Sequence, residues 1–243
     1  MPLALLSSWT SGSTRAAQAA GGPVGLPDPG EQRFQVFYGD MSRDLPVAEV
    51  RYRLQHDADG YELSTQAKAV GVVALFYSGN LIQNSKGRIG AQGLLPERYA
   101  ERRGKRPERV ILFDYERGRM IGVGDPPEVS LLPGTQDRLS IFYQLGLMAR
   151  RSPARFEPGR RFILPLASMK RIDKPSCDVV GGESVNTVRG SLASLRITVR
   201  NEAEPEDPKI DVWLANRMSM LPARIRVEDH DGKIIDQVLI PPA

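Results

Sequence analysis

The sequence predicts an all-β fold with one or two helices, in which a curved antiparallel sheet (a half-barrel or β-spiral) wraps around a buried helix. Apolar and polar residues alternate in about ten short runs, which turns separate every 8–12 residues or so. The 23 glycines and 19 prolines favour many short elements over a few long helices. Residues 135–151 instead repeat with helical period and are apolar nearly all round, as is typical of a buried helix.

The first 30 residues differ from the rest of the chain. Residues 1–30 are small, rich in glycine and proline, and without periodicity, which predicts a disordered tail. Ala17-Gln18-Ala19 also resembles a signal-peptide cleavage site, so the segment is equally compatible with the remnant of a signal peptide. Residues 31–243 are predicted to form a single antiparallel β domain.

Two hairpins have the clearest turn chemistry. Alternating runs flank Asp57-Ala58-Asp59-Gly60 near the start, and a two-residue turn is predicted at Asp231-Gly232 near the end. Residues 69–77 are compatible with either a short helix or a buried strand. The other predicted strands lie in the segments NLIQNSKGRIG, ERVILFDYERGRMIGVG, RRFILPLASM, GSLASLRITVRN and KIDVWLAN.

The predicted helix begins with Thr135 as its N-cap and ends at Arg150 and Arg151, whose charges suit the negative end of the helix dipole. Two interpretations follow from its apolar character. The helix either completes the core, or plugs a half-barrel whose hollow takes an apolar chain. In the second case, the predicted ligand-binding residues are Leu139, Phe142, Tyr143 and Leu147.

The sequence offers little catalytic chemistry. His56 and His230, the two histidines, each precede an Asp-rich turn, so we expect hairpin ends there; a metal site shared between the two turns is the alternative. Cys177 is the single cysteine and is expected to be a structural thiol. Neither a G-x-S-x-G motif nor a phosphate-binding loop is present. We therefore predict no catalytic residue, no metal site and no cofactor.

The net charge of +4 permits contact with an anionic surface without requiring it. Basic residues cluster at 97–109 and at 149–161. Each cluster is either a solvated loop or a contact for anionic lipid or an acidic partner. The second cluster has the larger net positive charge. Without a dense basic stripe, nucleic-acid binding is not expected, and no apolar run is long enough for a transmembrane segment. The predicted anionic-surface contacts are Arg150, Arg151, Arg155, Arg160 and Arg161.

Four segments carry a family resemblance: GLLPERY, ILFDYERG, TQDRLSIFYQL and VWLANRMSMLPARIRVEDHDGKIIDQVL. Together they resemble the proteobacterial family called domain of unknown function 3108, over most of residues 33–240. The last segment is also similar, more weakly, to the closing strands of LolA-like lipoprotein carriers. The resemblance implies a periplasmic protein with a signal peptide and an open curved sheet or β-spiral around a helix. It implies no catalytic residues.

The function expected from these observations is that of a non-enzymatic periplasmic protein of the cell envelope. Its concave sheet would bind an apolar ligand or a segment of a partner, with lipid, lipoprotein or another envelope protein as partners. One alternative is a structural or scaffolding module with a filled core. Another is a hydrolase whose site the sequence does not reveal. The sequence does not determine the oligomeric state.

Overall fold

The computed structural model of the protein describes residues 25–39, 45–70, 80–122 and 128–242. The first eight strands are β1 Gly30–Tyr38, β2 Ala48–His56, β3 Gly60–Ala69, β4 Leu81–Gly90, β5 Gly93–Arg103, β6 Arg109–Asp114, β7 Arg119–Gly122 and β8 Val129–Ser130. The second eight are β9 Arg161–Ile163, β10 Leu166–Ala167, β11 Ile172–Asp173, β12 Ser176–Thr187, β13 Gly190–Arg200, β14 Lys209–Ala215, β15 Leu221–Glu228 and β16 Ile234–Ile240. The α-helix α1 spans Ser140–Arg151, and short 3-10 turns span Pro153–Phe156 and Asn216–Met218.

Fourteen of these strands form one antiparallel sheet, in the order β8-β7-β6-β5-β4-β3-β2-β1-β16-β15-β14-β13-β12-β9. It consists of two meanders, which the pairing of β1 with β16 joins in the middle. In the described part of the chain, β8 and β9 are the free edges, so the sheet is open. The predicted fold class, a curved antiparallel sheet around one helix, is confirmed.

Alternation along the strands places one row of side chains on the side of the sheet that faces α1. Phe34, Val50 and Leu63 belong to this row, and they form one main core with Leu145 of the helix. On the opposite face, a smaller second core includes Phe37 and Trp213. Strands β12 and β16 come into contact although three strands lie between them in the sheet. The sheet therefore curls back on itself in this half.

A bulge explains how β5 contains a proline within the sheet. The pairing of β4 with β5 shifts register between Lys86 and Gly87, and Gly87 lies opposite Pro96. A side chain at Gly87 would place its Cβ 2.1 Å from the carbonyl oxygen of Leu95, so only glycine fits there. Proline is tolerated at such positions because the bulge already interrupts the hydrogen-bond ladder.

The helix begins later than its sequence pattern predicts. Thr135 is not the N-cap, because its hydroxyl donates to the carbonyl oxygen of Leu132 instead. The carboxylate of Asp137 accepts hydrogen bonds from the backbone N–H groups of Leu139 and Ser140, both at 2.8 Å. Residues 135–139 are thereby released from the helix, and Gln136 pairs with a neighbouring strand at Leu166.

The two predicted hairpins are present, with one correction. In the first, Asp57 accepts hydrogen bonds from the N–H groups of Asp59 and Gly60, as the turn chemistry predicts. The second reverses through five residues, 229–233, rather than through a two-residue turn. Asp229 accepts from the backbone N–H of Lys233, and this bond holds the wider loop closed. The ambiguous segment 69–77 lies, apart from its first two residues, outside the described residues.

The end of the N-terminal segment packs against the sheet. Residues 1–24 lie outside the described residues, whereas Leu26 is buried in the main core. His56 Nε2 donates a 2.8 Å hydrogen bond to the carbonyl oxygen of Pro27, and Arg150 Nη1 donates one of 2.9 Å to that of Gly25. The packed part of the chain therefore begins before the predicted boundary at residue 30.

Candidate ligand-binding cavity

Two close contacts set the position of α1 inside the sheet. A Cβ at Gly146 would lie 2.3 Å from the backbone oxygen of Met220, so the helix and the turn before β15 approach as closely as glycine allows. On the other side, Gln144 Oε1 accepts from the N–H of Leu94 at 2.8 Å, and its Nε2 donates to the carbonyl oxygen of Gln92 at 3.0 Å. The helix is thus held between β5 and β15.

A buried polar network anchors the start of the helix to the same sheet. Ser85 donates a 2.5 Å hydrogen bond to the Asp137 carboxylate, and the hydroxyls of Tyr61 and Ser85 lie 3.1 Å apart. Gln136 Nε2 donates to the carbonyl oxygen of Leu94 at 3.0 Å. Burial raises the pKa of Asp137, and the hydrogen bonds from Ser85 and from the backbone oppose that rise. These contacts explain the buried Gln-Asp pair that precedes the helix.

A cavity of about 600 Å³ lies between α1 and the concave side of the sheet. Its volume is within the range of about 300–1,000 Å³ that is usual for small-molecule sites. Side chains from the helix, from β13 to β15 and from the segment after β9 form its apolar wall. That wall contains Ile141, Phe142, Leu166, Met169, Val199, Ile210, Ile225 and Val227.

The polar part of the lining is strongly basic. Seven basic side chains and three acidic ones contribute to it. The basic residues are Arg103, Arg106, Arg109, Arg138, Lys170, Arg171 and Arg200, and the acidic ones are Glu101, Asp173 and Asp207. The cavity thus combines an apolar wall with an excess of positive charge.

Glu101 is the buried acid of this lining, with 1% of its side chain exposed. Arg109 lies 3.4 Å from one of its oxygens, and Arg103 lies 3.8 Å from the other. Tyr99 donates to Glu101 and accepts from Gln83, at 3.3 and 2.6 Å. Because the two arginines and the tyrosine surround it, Glu101 balances part of the charge of β5.

Arg171 is the most extensively paired cation of the lining. It contacts both Asp173 and Asp207, each at 2.7 Å. Asn201 donates a further 2.8 Å hydrogen bond to Asp207. Although burial acts to raise it, the pKa of Asp207 is lowered, because Asn201, Arg171 and the nearby charge of Arg138 stabilise the carboxylate. This group ties the β10–β11 hairpin to the loop before β14.

A second cavity, of about 350 Å³, lies by Tyr143 of the same helix. It is lined by Leu54, Leu221 and Leu239 from the sheet and by Met218 from the 3-10 turn. Burial raises the pKa of Tyr143 above its usual range. Unlike the larger cavity, this one has no excess of basic residues in its lining, because two arginines, Arg33 and Arg189, are matched in number by two acids, Asp28 and Glu31.

The structure distributes the four predicted ligand-binding residues over different environments. Phe142 lines the large cavity and Tyr143 the smaller one. Leu139 and Leu147 are buried in the main core and line neither cavity. The helical repeat identifies the buried helix, but it does not distinguish the side chains that border empty space from those that meet other side chains.

The five predicted surface arginines lie outside the lining of the large cavity. Arg150 and Arg151 donate to backbone carbonyl groups, Arg151 to that of Ala91 at 2.9 Å. The guanidinium of Arg155 lies 4.7 Å above the ring of Phe162. Arg160 pairs with Glu157, and Arg161 with Asp178 and Glu202. Their contact with an anionic surface stays a prediction.

The other basic cluster of the sequence supplies part of the cavity. Arg103, Arg106 and Arg109 all come from residues 97–109, around the turn between β5 and β6. In the sequence this cluster is visible, but the larger net positive charge of residues 149–161 favours that segment for anionic contacts. The rest of the basic lining lies far from this cluster in the sequence and consists of Arg138, Lys170, Arg171 and Arg200. Only the folded sheet brings these positions together.

The two histidines and the cysteine, which the sequence analysis weighed for chemistry, lie at hairpin ends and in the core. His56 and His230 lie at hairpin ends, where His230 is exposed and 3.2 Å from Asp231. Cys177 is fully buried, and burial raises the pKa of its thiol to about 12. Within the described ranges, no three His, Cys, Asp or Glu side chains are grouped to hold a metal ion. Nor does any helix among those residues have the length and apolarity needed to span a membrane.

The sequence profile of the family described as "Protein of unknown function (DUF3108)" matches residues 33–238. The chain belongs to this family. The match begins in β1 and ends in β16, so the DUF3108 region includes both meanders, the helix and the basic cavity. The weaker resemblance of the last strands to LolA-like carriers is not tested by this match and stays a prediction.

A solved structure shares the fold of this DUF3108 protein. It is described as "Beta-barrel-like Protein of Domain of Unknown Function DUF1849 from Brucella abortus". The TM-score is 0.56 at 13% sequence identity, with 89% of this chain and 97% of that chain covered. At this identity the likeness establishes the fold alone. The sequence has no significant match among curated proteins.

Proposed function

We propose that the protein binds an apolar chain in the large cavity, reversibly and without chemical conversion, as a component of the periplasmic cell envelope. The observation that carries this proposal is the cavity of about 600 Å³ between Phe142 of the helix and the apolar side chains of β13 to β15. The acyl chain of a lipid or lipoprotein is the ligand whose shape and polarity suit such a wall.

The energetic argument rests on the apolar wall. Each methylene group that leaves water for an apolar site contributes about 0.8 kcal/mol. A decyl chain would contribute about 7 kcal/mol, from which the cost of association must be subtracted. A moderate, reversible affinity follows, as a carrier or sensor of lipid requires.

The periplasmic part of the proposal rests on different support. Ala17-Gln18-Ala19 resembles a signal-peptide cleavage site, and the family resemblance implies the same compartment. Signal-sequence processing in cells, followed by mass spectrometry of the mature N-terminus, tests this part separately. A full-length chain recovered from the cytoplasm would contradict it.

Native mass spectrometry of protein purified from cells, followed by organic extraction, tests the binding proposal directly. We expect a lipid-sized molecule to accompany the wild-type protein. Delipidated protein should then bind a decyl-chain probe, as measured by isothermal titration calorimetry.

A cavity-filling variant locates the ligand. Val227 lies on β15, lines the cavity and is only partly buried, so Val227→Trp fills space without replacing a fully buried side chain. We expect it to weaken probe binding by about tenfold or more, since a loss of about 1.4 kcal/mol already gives that factor. Val188→Trp, the matched control, lies exposed in the turn between β12 and β13. Equal probe affinities for Val227→Trp and wild type would exclude this cavity.

A further inference from the structure

We infer that the ligand of the large cavity is an anionic amphiphile, whose single apolar chain meets the wall and whose phosphate or carboxylate head meets Arg106, Arg138 and Lys170. This inference rests on the proposed function, to which it adds the chemical class of the ligand. It depends on which charges of the lining are already neutralised.

The acidic side chains of the lining are all engaged. Glu101 pairs with Arg103 and Arg109, while Asp173 and Asp207 both pair with Arg171. Every lining carboxylate thus already lies in an ion pair, and the seven lining cations outnumber the three carboxylates.

Three lining cations have no such partner. Arg106, Arg138 and Lys170 have no carboxylate of the described residues within 4 Å. Arg200, the remaining cation, pairs with Asp178 outside the cavity at 3.3 Å. A bound anion would therefore meet uncompensated positive charge without displacing an existing ion pair.

Arg138 interacts electrostatically with groups on two sides of the cavity, on β5 and in the loop before β14. Burial and the charge of Glu101 raise the pKa of Tyr99 on β5, and Arg138 opposes that rise. Arg138 also helps to stabilise the carboxylate of Asp207 in the loop before β14. It follows Asp137, which the buried network at the helix start holds in place. Arg138 is thus attached to an anchored segment, next to Ile141 and Phe142 of the apolar wall.

Guanidinium groups suit such a ligand because their N–H donors match the oxygens of phosphate and carboxylate. The cavity volume of about 600 Å³ favours a single-chain amphiphile over a two-chain phospholipid enclosed in full. Charge and volume together point to one chain with one oxyanion.

Calorimetry with three probes tests this inference: decyl phosphate, decanol and inorganic phosphate, each below the concentration at which aggregates form. Decyl phosphate should bind tightest to the wild type, decanol more weakly and inorganic phosphate weakest. Added salt should weaken decyl phosphate binding and leave decanol binding unchanged, because salt screens exposed charges.

The matched variants are Arg106→Gln/Arg138→Gln and, as control, Arg53→Gln/Arg117→Gln. Both remove two exposed arginines, and the control pair lies outside the cavity. The first variant should lose about tenfold in affinity for decyl phosphate and keep its affinity for decanol, since one charge-assisted hydrogen bond contributes about that factor. The control should bind both probes like the wild type.

The outcomes separate the two levels of the proposal. If decyl phosphate and decanol bind equally well to wild type and both variants, the inference of an anionic head group is wrong, while the proposal that the cavity binds an apolar chain stands. If inorganic phosphate binds as tightly as decyl phosphate, the ligand is a simple anion and not an amphiphile. If no chain-bearing probe binds at all, the proposed function itself fails.

Discussion

At the residue scale, the buried carboxyl of Asp137 shows how one side chain joins the helix to the sheet. It accepts from Ser85 and from the first N–H groups of the helix, and is fully buried. In the helix predicted from the sequence, which has Thr135 as its N-cap, Asp137 would be an acidic residue of the first turn. Its role as the anchor of the helix start depends on β4, which lies about 50 residues earlier in the chain.

The raised pKa of Asp137 gives a stability that depends on pH. Because folding favours the protonated carboxyl, its contribution is fully present below the unfolded pKa of about 3.9 and is lost as the pH rises through the folded-state pKa. Asp137→Asn carries no charge at any pH. We therefore expect the free energy of unfolding of this variant, relative to wild type, to increase from about pH 4 to about pH 8.

Urea denaturation across that range measures the difference, with Asp59→Asn as the control. Asp59 is exposed in the first hairpin turn, and its side chain accepts no hydrogen bond there. A difference between Asp137→Asn and wild type that does not change with pH would contradict the prediction.

At the scale of elements, the position of α1 depends more on its contacts with the surrounding strands and turns than on its own sequence. Nine of its twelve residues are buried, on every side of the helix. Gly146 is where the helix meets the turn before β15, whose Ser219 and Met220 both have positive φ. This closely packed helix borders the large cavity at Ile141 and Phe142 and the smaller one at Tyr143.

Gly146→Ala tests this contact. Alanine favours an isolated helix over glycine by about 1 kcal/mol. Here its Cβ would meet the backbone oxygen of Met220, and overpacking of this kind costs about 1–3 kcal/mol. We expect a net loss of stability by chemical denaturation. Gly182→Ala, whose Cβ has open space, is the control. A stabilised Gly146→Ala protein would show that the helix can move away from β15.

At the scale of the whole molecule, the first and last strands hold the two meanders together. β1 pairs with β16 over six residue pairs, from Arg33 with Ile240 to Tyr38 with Ile235. The cavity depends on this closure, since Tyr52 of one meander and Gln237 of the other share a 2.9 Å hydrogen bond at its wall. Neither meander alone encloses the cavity.

A chain that ends at Lys233 lacks β16 and exposes the edges of β1 and β15. We expect it to lose cooperative unfolding and to aggregate, because unpaired strand edges associate. A chain that ends at Ile240 keeps every strand and serves as the control. Circular dichroism and size-exclusion chromatography measure the result. A monomeric, cooperatively folded product from the shorter chain would show that the protein folds without the pairing of β1 with β16.

The sequence by itself determined the fold class, the buried helix, the hairpins around Asp57 and after Glu228, and the structural role of Cys177. These features depend on local periodicity and turn chemistry, which a short segment contains in full. The start of the helix and the width of the last hairpin depend on particular hydrogen bonds. The pattern of apolar and polar residues in a segment does not specify those bonds.

Only the tertiary structure decided which side chains line a cavity. Phe142 and Leu139 share one helical face, yet one borders empty space and the other fills the core. Arg106, Arg138 and Lys170 come from three separate segments, and the curvature of the sheet places them around one cavity. Their common surroundings arise from contacts between residues distant in the chain, so no sequence window contains them.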